Sequence, residues 1–179
     1  MFTGPEVAVR VAPVLVFACG NPSRGDDALG PAFIARVEAL LADEIRRGEL
    51  ELLTDFQLQA EHALDLVGRE QVVFVDASVA CAAPFAWTEV QPARDVTWST
   101  HVMSPAAVLA TFRAIDDREP PPCRVLAIRG QAFELGAPLS APAADHLAAA
   151  VDFFVGWLAA RAGGRAAAGS AAAYESRCG

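Results

Sequence analysis

Val14-Leu15-Val16-Phe17-Ala18, closed by Cys19-Gly20-Asn21-Pro22, is the stretch that decides the fold. Five consecutive apolar residues without polar alternation mark a strand buried on both faces, and the turn residues that follow stop it. Such a strand needs helices on either side, and its neighbours supply them. Over 31–47, Phe33, Ile34, Val37, Leu40, Leu41 and Ile45 recur at three- and four-residue steps, which predicts an amphipathic helix stopped by Gly48. A second strand follows over 50–53. Leu58, Ala60, Ala63, Leu64 and Val67 then predict a second helix, and the β-branched run over 71–75 a third strand ending at Asp76.

Further along, 85–90 reads as a strand at an edge, because prolines bracket it. Ser104-Pro105 has the form of an N-cap with proline at the first helical position of a helix reaching Ile115. Residues 124–128 give another strand. The last helix is predicted over 140–160, with Leu147, Val151, Phe154, Val155 and Leu158 on one face. The Ala, Gly and Ser-rich residues 163–179 have almost nothing to bury and read as a disordered tail, leaving residues 1–162 as a single domain. Strands alternating with helices imply crossover connections. The expected architecture is an α/β three-layer sandwich, a mainly parallel twisted sheet of about five strands between helices. Ligands of such sheets gather at the carboxyl ends of the strands.

Composition narrows the function classes. The net charge of −8 and the scattered arginines disfavour nucleic acid. No uninterrupted apolar run reaches the ~18 residues of a membrane span, and the start of the chain lacks the basic and apolar regions of a secretory signal, which predicts a soluble cytoplasmic protein without a membrane partner. Lysine is absent, so Schiff-base chemistry and a Walker-type phosphate site fall away. Cys19, Cys81, Cys123 and Cys178 show no paired spacing and read as small apolar residues plus a tail thiol.

The loop after the first strand, Gly20-Asn21-Pro22-Ser23-Arg24-Gly25-Asp26-Asp27-Ala28-Leu29-Gly30, carries most of the chemistry. Its glycines stand five apart rather than as GxGxxG, and Asp26 and Asp27 occupy the place a phosphate would need. One of the two carboxylates is expected to cap the following helix, which frees the other for a cation. Asp76 emerges at the end of the third strand, where it can either cap the turn Asp76-Ala77-Ser78 or serve as a ligand. Among the three histidines, His62 and His146 fall within helical patterns, whereas His101 lies in the loop Ser99-Thr100-His101 and is the functional candidate. Two carboxylates and an imidazole suit a borderline divalent metal with open coordination positions.

These segments together resemble the hydrogenase maturation endopeptidases. The resemblance rests on Gly20-Asn21 through Asp26-Asp27 to Gly30, on Val73-Phe74-Val75-Asp76-Ala77 and on Ser99-Thr100-His101, and spans about residues 13 to 160. It implies that Asp27, Asp76 and His101 match the residues that contact nickel and are the catalytic residues, with Asp27 or Asp76 as a candidate general base. That nickel is carried by the substrate, a [NiFe] hydrogenase large-subunit precursor whose C-terminal extension is removed; no tightly bound metal is expected in the free enzyme, which reads as a monomer. Many members have glutamate where this chain has Asp27. They also have an aspartate and a glycine-rich turn where this chain has Asp55-Phe56-Gln57-Leu58-Gln59-Ala60-Glu61, a departure similar to the branch serving bidirectional, NAD-linked hydrogenases. Gln57 and Glu61, one helical turn apart, are candidates to read the substrate together with Asp55, or else form a polar outer face. Two rivals remain: a nucleotide-binding α/β protein using Asp55 for a ribose, and a non-catalytic metal-binding chaperone of the hydrogenase.

Overall fold

The structure, a computed structural model, describes residues 11–93 and 103–175. Five strands form one sheet in the order β2-β1-β3-β5-β4: β1 Val14–Cys19, β2 Leu50–Asp55, β3 Gln71–Ser78, β4 Phe85–Val90 and β5 Cys123–Arg129. The pairs β1–β2, β1–β3 and β3–β5 are parallel, and only β4 runs antiparallel, along β5 at the edge. The sandwich expected from the sequence is therefore the one observed.

The alternation of β1 separates two cores. Val14, Val16 and Ala18 face a layer made by α1 (Leu29–Leu40) and α4 (Ala141–Glu175), where Phe33, Val37, Leu147, Val151 and Phe154 are buried. Leu15, Phe17 and Cys19 face the other side, against Leu58, Ala63 and Leu66 and against Val108, Leu109 and Phe112 of α3 (Pro105–Ile115). Phe33 and Phe154 meet edge to face at 5.5 Å between centroids, a favoured aromatic geometry. Helix α4 also covers one face of β4: Phe153 packs on Phe85 and Trp87, and Trp157 on Trp87.

Several boundaries differ from the sequence expectation. The helix expected over 31–47 divides at Leu41, whose φ of −115° and ψ of 30° leave helical space, so that α1 ends and α2 (Ala42–Arg46) begins. Leu41 itself is buried in the core, and Ile45 packs against it. The second helix is a 3-10 segment, Ala60–Leu66, and Gln57 precedes it, so Gln57 and Glu61 are not a helical turn apart along one face. Helix α4 continues past Ala160 to Glu175. Alanine has the highest helix propensity, and a helix already anchored on the sheet needs no new nucleus to extend. By length and composition Ala141–Gly164 could cross a membrane, but Ala143, Leu147, Ala150, Val151, Phe154 and Leu158 are buried within the domain.

Candidate active site at the carboxyl end of the sheet

Strand β1 sends its chain to β2 on one side, and β3 pairs on the other, so the topology reverses between β1 and β3, the place where open α/β sheets bind ligands. The register brings two acidic residues there, and the loop after β1 brings a third. Cys19 at the end of β1 is level with Asp55 at the end of β2. Ala18 is level with Val75, which puts Asp76 one residue further along β3, beside Cys19. Asp27 returns to the same place from the loop after β1, its Oδ2 accepting the Asn21 N–H at 3.2 Å.

The loop keeps this shape through glycine. A Cβ on Gly20, whose φ is +141°, would stand 2.0 Å from the Asp27 carbonyl oxygen, and one on Gly30 would stand 2.0 Å from the Cys19 carbonyl oxygen. Gly20 and Gly30 thus let the loop fold tightly on itself and on β1, while Gly25, whose Cβ would stand 2.4 Å from the Ala132 carbonyl oxygen, lets it approach the segment after β5. Arg24–Asp27 and Gly25–Ala28 form a tight turn and a 3-10 turn that deliver the chain into α1.

Asp26 does not cap α1. It is fully buried and accepts hydrogen bonds from the N–H groups of Gln131 (2.8 Å), Ala132 (3.0 Å) and Ser140 (2.8 Å) and from the Ser140 hydroxyl (2.9 Å). Ser140 in turn accepts from the Ala143 N–H, so Asp26 fastens the β1 loop to the entry of α4. Burial works against its charge, but the Gln131, Ser140 and Ala132 N–H groups and the Ser140 hydroxyl outweigh burial and hold the carboxyl below its ordinary range. Contrary to the expectation, neither aspartate caps α1; the cap of α4 is Ser140, and Asp26 holds that cap in place.

Asp76 lies within β3 rather than after it, and its Oδ1 accepts the N–H of the neighbouring Ala77 at 2.8 Å. The turn beyond is capped by Ser78, whose hydroxyl oxygen accepts from Ala80 and Cys81. The Asp76 side chain is open to solvent yet has protein around it on the sheet side. This partial desolvation, with the negative charge of Asp27 as a further cause and the Ala77 N–H opposing, raises its carboxyl to about 6. Two carboxylates that repel each other at a strand end favour a cation.

Cys19 is the reporter of the cluster. Burial, then Asp76, Asp55 and Asp27 in that order, push its thiol up to about 12. A thiol so raised is not a nucleophile near neutral pH, so Cys19 is a packing residue. Among the described residues no three His, Cys, Asp or Glu side chains form a ready-made metal cage. His101, with Ser99 and Thr100, lies outside the described residues. Glu61 is exposed and Gln57 half-buried.

One neighbour of the cluster escaped the sequence. His62, assigned only to a helical pattern, lies over Phe17 with ring centroids 4.5 Å apart and faces Asp55, Nε2 to Oδ2, at 3.5 Å. Its available signal was position: the segment leaving β2 at Asp55 must turn back across the strand ends, and His62 is the imidazole on that segment.

No protein-family model matches the chain, and no curated protein matches it in sequence. Its structure is similar to the hydrogenase maturating endopeptidase HybD of Escherichia coli, with TM-score 0.63 and 20% identity over 83% of this chain and 93% of that one. It is similar to the [NiFe] hydrogenase maturation protease HycI of Thermococcus kodakarensis, with TM-score 0.60 and 17% identity over 82% and 92% of the two chains. An endopeptidase of Escherichia coli, solved in solution, gives TM-score 0.58 and 20% identity over 79% and 88%. The chain has the fold of the hydrogenase maturation endopeptidases.

Proposed function

We propose that this chain is an endopeptidase that removes the C-terminal extension of a [NiFe] hydrogenase large-subunit precursor once that precursor carries nickel. The carrying observation is the convergence of Asp27 and Asp76 at the β1–β3 reversal, close enough for Asp27 to help raise the Asp76 carboxyl, on a fold shared with proteins described as hydrogenase maturation proteases. The nickel arrives with the substrate. Asp27, Asp76 and His101 contact it, which relieves the repulsion between the carboxylates and restricts cutting to metal-loaded precursor. Nickel so held orients the C-terminal segment and polarises the scissile carbonyl.

Asp55, on the same face of the sheet, and Gln57 and Glu61 on the segment after it stand where the substrate chain would pass. The chain works in the cytoplasm as a monomer, with neither nucleic acid nor membrane as partner. Replacement of Asp27, Asp76 or His101 by alanine is expected to abolish release of the C-terminal peptide from nickel-loaded precursor, with far-UV circular dichroism unchanged. Full cleavage by any one of them would remove that residue from the site; a wild-type chain that binds the precursor and releases no peptide would favour the chaperone.

A further inference from the structure

The geometry points to His62 and Asp55 as an imidazole–carboxylate pair within the active site, with Asp55 as the proton acceptor for the attacking water and His62 as its positioning residue. This rests on the endopeptidase function proposed above. The Gln59 N–H donates to His62 Nδ1 at 2.9 Å, so the neutral ring carries its proton on Nε2. That Nε2 faces Asp55 Oδ2 at 3.5 Å, within ion-pair distance and short of a formed hydrogen bond, and such catalytic contacts are often long in free enzymes and tighten only with substrate bound. The Phe56 N–H donates to the other oxygen, Oδ1, at 2.6 Å. Phe17 beneath the ring fixes its plane.

The environment separates the two roles. The His62 side chain is 12% exposed, with Nδ1 taken by the Gln59 N–H and Nε2 turned to Asp55, whereas Asp55 is 34% exposed and open to a substrate. Asp55 is level with Cys19, on the same sheet face as Asp76, and all three carboxylates act on the Cys19 thiol. With Asp27 and Asp76 engaged by the substrate's nickel, Asp55 is the carboxylate left free to move a proton. In the step inferred, the water oxygen bonds to the scissile carbonyl carbon as its proton passes to Asp55. The carbon–nitrogen bond then breaks, and Asp55 returns the proton to the leaving amine. Water and peptide are the only reactants.

The test compares wild type with Asp55→Asn, His62→Phe, His62→Gln and the Asp55→Asn/His62→Phe double variant, on nickel-loaded precursor, measuring kcat and KM separately. Phenylalanine keeps a ring on Phe17 but has no donor; glutamine restores a donor towards Asp55. Asp55→Asn is expected to lower kcat by about 10²-fold or more, in the range of general-base catalysis. His62→Phe should lower kcat roughly 10-fold with KM little changed, His62→Gln should recover most of that loss, and the double variant should be no slower than Asp55→Asn, since His62 acts through Asp55. Wild-type kcat in His62→Phe, or a double variant slowed by the product of the two single effects, would overturn the pairing while leaving the endopeptidase intact. A wild-type chain that cuts no nickel-loaded precursor would overturn the proposed function and the pairing with it.

Discussion

Replacing Asp26 by asparagine tests whether this buried carboxylate, one residue before the proposed nickel contact, is structural. The carboxylate satisfies the backbone donors of Gln131, Ala132 and Ser140 and the Ser140 hydroxyl, all from segments more than 100 residues away in sequence. Asparagine has one acceptor oxygen, so in either amide orientation a buried N–H is left facing an NH₂ group. An unsatisfied buried donor costs about 1–3 kcal/mol, and the surviving bonds lose charge assistance worth about 0.5–1 kcal/mol each. The sum is about 3–5 kcal/mol, which for a domain of this size lowers Tm by roughly 10 °C. Urea unfolding followed by circular dichroism at pH 7 measures it.

The pH dependence adds a sign. Because the folded carboxyl lies below its ordinary value, its stabilisation is complete above that value and is lost as pH falls through the folded one. The gap between wild type and Asp26→Asn is therefore expected to close in the acid range below about pH 4. A variant within about 0.5 kcal/mol of wild type at pH 7, the ordinary size of a neutral surface substitution, would refute the locking role of Asp26.

Asp76→Asn should behave in the opposite sense. A carboxyl raised to about 6 gives stability that is present below its ordinary value and lost as pH rises through 6, so the variant should exceed wild type above pH 6 and match it in acid. Solvent access reduces the expected gain to about 1 kcal/mol by urea unfolding; a variant less stable than wild type at pH 8 would contradict it. Gly30→Ala should destabilise by more than about 3 kcal/mol, because its Cβ meets the Cys19 carbonyl at 2.0 Å; a wild-type Tm would show that the loop can move aside. Cys19→Ala should process at the wild-type rate with about 1 kcal/mol less stability, and loss of cleavage in a folded variant would reinstate the thiol.

What was legible in the sequence was whatever local patterning encodes. The buried run over 14–18, the alternation of strand and helix, and Ser104-Pro105 as a helix start each carry their signal within a few residues, and Ser104 does accept from the Ala107 N–H with Pro105 at the first position. The two aspartates after β1 and the one in β3 were placed at one end of the sheet by the same logic. The roles that depend on distant segments were not legible. Asp26 receives its donors from residues 131–140, and nothing around Asp26 announces them. His62 matched a helical period, but its environment comes from Phe17 and Asp55, and the segment is a 3-10 turn whose side chains project differently from those of an α-helix. The end of α4 was not legible because residues beyond Ala160 carry no apolar stripe, and the helix continues there on alanine's propensity alone.

The most direct measurement is the intact mass of a [NiFe] hydrogenase large-subunit precursor after incubation with this chain, nickel-loaded and nickel-free samples side by side. Loss of a C-terminal peptide from the loaded precursor alone is the expected result. An unchanged mass in the loaded sample, or equal cleavage with and without nickel, would contradict a processing endopeptidase that recognises its substrate through the metal.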